Sequence, residues 1–179
     1  MALEKLFLIV ILVVTVLSFP WKADAISIYP TSEPDLVYTL PYPGILPDHP
    51  LYPLKRIRDG MLLLLSRDSL RTIELNRLFA DKHLVMATLL WEKEKFTLAH
   101  TTFMRGERFL LSCAVEVEKL NAVGDVPPGL ADKIELAARK HAEIITKRIA
   151  YTDDEALRSM LNDALAITNQ AMDHISLEE

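Results

Sequence analysis

Seven of the chain's ten prolines fall between Pro30 and Pro53, at positions 30, 34, 41, 43, 47, 50 and 53, and the only later pair is Pro127-Pro128. Proline fixes its own φ, has no N–H to donate and holds the preceding residue extended, so neither a helix nor a central strand can run through such a stretch. The chain is therefore divided into an extended arm and a body free to be helical. The boundary lies in Leu46-Pro47-Asp48-His49-Pro50-Leu51-Tyr52-Pro53-Leu54-Lys55. A helix starting there tolerates proline in its first turn, where backbone donors have no helical partner.

Upstream, Met1-Ala2-Leu3-Glu4-Lys5 precedes an uncharged apolar run over residues 6–19, then Pro20-Trp21-Lys22 and Ala23-Asp24-Ala25. This is the layout of a secretory signal peptide, with cleavage expected after Ala25. The run is shorter than the roughly 20 residues of a spanning helix; an uncleaved anchor is the alternative, and membrane contact is expected only in that case. The expected organisation is a signal peptide (1–25), a proline-rich arm (26–49) and a helical bundle domain (50–179), located outside the cytoplasm: secreted, periplasmic or on the outer face of a membrane. A net charge of −5 leaves no overall electrostatic footprint for nucleic acid or anionic lipid. Cys113 is the only cysteine, which excludes an internal disulfide.

Beyond Pro53 the apolar residues recur at intervals of three and four. A first helix is expected over 53–65, with Lys55, Arg56 and Arg58 on its exposed side. Ser66-Arg67-Asp68-Ser69 supplies cap chemistry for a second helix, striped by Leu75, Leu78, Phe79, Val85, Met86, Leu89 and Leu90. Glu92-Lys93-Glu94-Lys95 interrupts that stripe and marks a tight turn. A third helix carries Phe96, Ala99, Phe103, Gly106, Leu110, Ala114, Val117 and Leu120, with Gly106 letting a neighbour approach; it stops at Val123-Gly124. The fourth runs from near Pro128 to about Tyr151. Thr152-Asp153-Asp154-Glu155 reads as a capping box, Thr152 as cap and Glu155 reaching back, ahead of a fifth helix. The fold class is all-α: an up-and-down bundle of about five helices preceded by the extended arm, whose second half, from Asp35, forms a strap along the helices.

The proline-framed segment, the polar break Ser66-Arg67-Asp68 and the following Leu78-Phe79-Ala80-Asp81-Lys82-His83-Leu84 give residues 41–121 a resemblance to an extracytoplasmic helical family, domain of unknown function 5667. Members are bacterial and archaeal and usually follow a signal peptide or a single membrane anchor. Where they carry an Arg- and Glu-rich second helix, this chain has Lys82-His83-Leu84-Val85-Met86. The resemblance implies location and fold, and no activity.

No nucleophile elbow, phosphate loop, zincin helix or dinucleotide fingerprint occurs, so no catalytic residues and no cofactor are expected. The one candidate metal site follows from the hairpin of helices two and three, which sets His83 across from Met104 and Met86 near Thr101 and His100. Imidazole and thioether together suit copper. The simpler reading puts Met86 and Met104 in the hairpin core and His83 and His100 at its edge. His141, between Ala137 and Ile144 in an apolar stripe, reads as a buried, hydrogen-bonded core histidine. The leading functional expectation is a non-catalytic module binding a protein or cell-envelope partner; the alternative is a metal or small-ligand sensor using His83, Met86, His100 and Met104.

Overall fold

The computed structural model describes residues 38–176; the expected signal peptide and the first half of the expected arm lie outside the described residues. Five helices and no strand occur among them: α1 (Tyr52–Leu65), α2 (Ser69–Glu92), α3 (Phe96–Ala122), α4 (Leu130–Ala150) and α5 (Glu155–Ser176). The protein is an all-α bundle, and residues 38–51 lie against it as the expected strap.

Local chemistry sets the helix ends. Pro53 sits in the first turn of α1, and the Asp68 carboxylate caps α2 by accepting from the Arg71 N–H at 3.1 Å. The α2–α3 turn falls at Lys93-Glu94-Lys95, with Glu94 at φ 58°. A left-handed non-glycine residue costs roughly 1–2 kcal/mol. Asp48 of the strap clasps the turn from outside, bonded to Lys93 at 3.3 Å and Lys95 at 2.7 Å; the hydrogen bond from Lys95 foremost lowers its pKa. Gly124 takes φ 72° where α3 stops. The capping box before α5 is corrected: the Asp154 carboxylate accepts from the N–H groups of Ala156 at 2.8 Å and Leu157 at 3.0 Å. Thr152 instead donates its hydroxyl to the Arg148 carbonyl, satisfying the end of α4.

Helices α2 and α3 form an antiparallel hairpin whose backbones approach at Gly106. A Cβ there would lie 2.9 Å from the His83 Cβ and 3.3 Å from the Ala80 carbonyl oxygen. A second hairpin, α4–α5, packs alongside it. Contacts Asp81–His141 and Glu92–Arg148 make α2 parallel to α4, and Glu107–Thr168 and Glu118–His174 make α3 parallel to α5. The interior has two apolar clusters. One is built on Ile73, Leu110, Val117 and Ile134, the other on Leu84, Leu90, Phe103, Ile145 and Leu161.

Helix α1 stands apart from this packing. Its only buried residues are Tyr52 and Lys55, both in its first turn. The expectation for Lys55 is therefore corrected: it points inward, while Leu54, Ile57, Leu64 and Leu65 are 58, 61, 83 and 70% exposed. No described helix is long and apolar enough to cross a membrane.

Candidate functional site

Between the two apolar clusters lies a single polar layer to which each of the four packed helices contributes one residue: Asp81 from α2, Glu107 from α3, His141 from α4 and Thr168 from α5. Each falls within the apolar row of its own helix. Asp81 follows Ala80, Glu107 lies between Phe103 and Leu110, His141 between Ala138 and Ile144, and Thr168 between Ala164 and Ala171. All four are at most 1% exposed.

His141 is the hub. Its Nδ1 lies 3.0 and 3.1 Å from the two Glu107 carboxylate oxygens, and its Nε2 lies 3.2 Å from Asp81 Oδ1. Two acceptors on opposite ring nitrogens require a proton on each, so the ring is an imidazolium. Burial alone would drive that proton off, but the opposed charge of Glu107 and the hydrogen bonds that the ring donates to both carboxylates outweigh it and raise the pKa to about 10. Thr168 completes Glu107, donating to Oε2 at 2.8 Å. The second Asp81 oxygen accepts from the Tyr38 hydroxyl at 2.7 Å and the Arg77 guanidinium at 3.2 Å, and Arg77 also donates to the Tyr38 oxygen at 2.9 Å. Burial first, then Asp81, raises the Tyr38 pKa. The strap is thereby tied into the interior layer.

The carboxylates lie on opposite sides of the imidazole and do not converge, so the layer offers no point where a cation could be shared. Among the described residues no group of three or more His, Cys, Asp or Glu is arranged to hold a metal ion. What the layer does offer is register: sliding one helix past another would break bonds to buried charges. His141 fulfils its core reading, while Asp81, Glu107 and Thr168 were missed. Their signal in the sequence is a polar residue three or four places from apolar neighbours on both sides.

The four metal candidates are distributed as follows. His83 is buried under α1, with Nδ1 donating to the Phe79 carbonyl at 2.7 Å and Nε2 3.5 Å from the Tyr52 hydroxyl. Burial pushes its pKa down to about 4 and keeps it neutral. Met86, one turn along, receives the Lys55 ammonium at 3.3 Å from its sulfur. His100 lies beside Asp163 of α5, with Nε2 3.5 Å from the carboxylate. Met104 packs partly buried against the Phe103 cluster. His83 and Met86 thus share the seat of α1, while His100 faces α5. Cys113 is buried, donates to the Ile73 carbonyl at 3.4 Å, and burial pushes its thiol up to about 12.

Under α1, Lys55 donates to the carbonyls of Pro43 at 2.7 Å and Ile45 at 3.1 Å, and its Nζ lies 5.8 Å from the centre of the Tyr52 ring. Burial lowers its pKa to about 8. This clamp joins strap, α1 and α2 through one ammonium. With Tyr52 and Lys55 on the inward face of α1, Leu62 and Leu63 are half-buried and Leu54, Ile57, Leu64 and Leu65 face outward.

No family model, curated protein or solved structure matches the chain.

Proposed function

We propose that this chain is an extracytoplasmic, non-catalytic helical module that docks a protein or cell-envelope component on the outer face of α1. One observation carries the reading: the buried core is built by α2–α5, and α1 leaves a row of apolar side chains exposed, Leu64 at 83% and Leu65 at 70% among them. Contiguous exposed apolar surface on a folded domain marks an interaction site. The N-terminal layout supports the location. Membership of the helical family that residues 41–121 resemble belongs to the same proposal.

The test is site-specific photocrosslinking from position 64 of the full chain in its own cells, with position 151 as control, since Tyr151 is equally exposed at 82%. A discrete adduct from 64, absent from 151 and lost on Ile57→Ser, is the expected result. Equal or absent labelling at both positions would rule out α1 as a docking element.

A further inference from the structure

Leu54, Ile57, Met61 and Leu64 follow one another along α1 at intervals of three, four and three, and are 58, 61, 37 and 83% exposed. They form one stripe on a 14-residue helix, about 21 Å long at 1.5 Å per residue. The charge around that stripe differs from that of the whole chain. Net charge is −5 overall, yet residues 50–73 carry Lys55, Arg56, Arg58, Arg67 and Arg71 against only Asp59 and Asp68. Both acids are engaged within the fold: Asp59 pairs with Arg58 at 2.6 Å, and Asp68 caps α2. Arg58 is neutralised by Asp59, Lys55 is buried and Arg71 pairs with Glu74 at 3.6 Å, which leaves Arg56 and Arg67 as the exposed cations beside the stripe.

A stripe of aliphatic side chains beside exposed guanidinium groups, on a helix too short to span, matches a lipid interface. Leucine and isoleucine reach the acyl boundary while arginine meets phosphate. A second copy of the chain suits the stripe less well, because a self-complementary contact would bring the same arginines together. The clamp of Tyr52 and Lys55 seats the opposite face of α1 on the body, so the bundle would ride above the surface.

We infer that α1 lies in the plane of an anionic phospholipid surface, with its Leu54-to-Leu64 stripe among the acyl chains and Arg56 and Arg67 on lipid phosphates. The inference rests on the docking reading and names the partner. The overall negative charge conceals it, because charges on the rest of the chain outnumber the local cations without neutralising them at the contact.

The experiment uses the full chain carrying Leu64→Cys or Tyr151→Cys, each labelled with an environment-sensitive fluorophore; Cys113 is buried and stays unlabelled. Vesicles are phosphatidylcholine with or without phosphatidylglycerol, with a nitroxide quencher on the acyl chain. The N-terminal segment is identical in every sample, so the contrast between label positions reads α1. The label at 64 is expected to be quenched only with phosphatidylglycerol, the label at 151 not at all. Added salt should release it several-fold, and Ile57→Ser should weaken it by about tenfold. Quenching at neither site, at both sites, or equally without phosphatidylglycerol overturns the inference. A label at 64 shielded without vesicles, in a chain that sediments as a dimer, also overturns it but leaves α1 a docking element. Failure here together with no position-64 adduct in cells removes both readings.

Discussion

In the α2–α5 bundle the charges are inside: Asp81, Glu107 and His141 are sealed between two apolar clusters. In α1 the distribution is also inverted, but in the other direction. A lysine points inward, and Leu54, Leu64 and Leu65 point out. The two regions show that side-chain hydrophobicity alone does not decide burial. The bundle interior accepts ions because every carboxylate oxygen and ring nitrogen there has a partner, and the seat of α1 accepts an ammonium because two strap carbonyls and a thioether receive it. The difference lies in what remains outside. The bundle presents a mostly polar exterior, and α1 presents a stripe that the described residues leave exposed.

The comparison is broken most severely by Glu107→Leu. It leaves the His141 imidazolium short of one counter-charge and Thr168 with only the Ala164 carbonyl to donate to, and should cost about 3–5 kcal/mol in urea unfolding. Glu107→Leu with His141→Leu should cost less than the two single changes added together; strict additivity would mean that the layer does not act as a unit.

Next in size is an opposition of sign with pH. The folded pKa of His141 is raised to about 10, so its contribution is complete below the ordinary histidine value and is lost as pH rises towards 10. That of Lys55 is lowered to about 8, so the penalty of burying its charge is full below pH 8 and is relieved as pH rises to the ordinary lysine range. Urea midpoints should therefore fall from pH 6.5 to 10 in the wild type, rise above pH 8 in His141→Leu, where Lys55 acts unopposed, and fall more steeply in Lys55→Met. The change attributable to His141 is on the order of a few kcal/mol.

Gly106→Ala probes the bundle backbone. Its new Cβ, 2.9 Å from the His83 Cβ, must part α2 from α3 at a cost of about 1–3 kcal/mol, read as a lower melting temperature. Lys55→Met probes the seat of α1: the Pro43 and Ile45 carbonyls lose their donor, costing about 1–3 kcal/mol. Hydrogen exchange should rise in α1 and the strap and stay unchanged in α3 and α5. The smallest effect sharpens the comparison most. Leu64→Ser should change stability by no more than about 0.5 kcal/mol, the range of a surface site, whereas Leu84→Ser in the core should be far more damaging; a large loss at Leu64 would mean that its outward face is covered in the monomer.

Much of the fold was legible in the residues. Proline placement marked where helices could start, and the polar run at Glu92-Lys93-Glu94-Lys95 marked the tight turn even without glycine, because loss of the apolar row is itself a boundary. The cap of α5 was misassigned since Thr152, Asp153 and Asp154 all carry capping oxygens; the Thr152 hydroxyl was taken up by the Arg148 carbonyl, leaving Asp154 to the new helix. Of the interior layer only His141 was legible. Asp81 and Glu107 look like surface acids when their helices are read singly, and 34 positions separate Glu107 from His141 in the chain.

The sequence by itself determined the helical class and the positions of the breaks, because these follow from backbone geometry and local periodicity. Only the tertiary structure decided which polar residues meet and which face of α1 turns inward. Partnering of charges is a property of elements distant in the chain, and the seat of Lys55 exists only because the strap brings the Pro43 and Ile45 carbonyls to it.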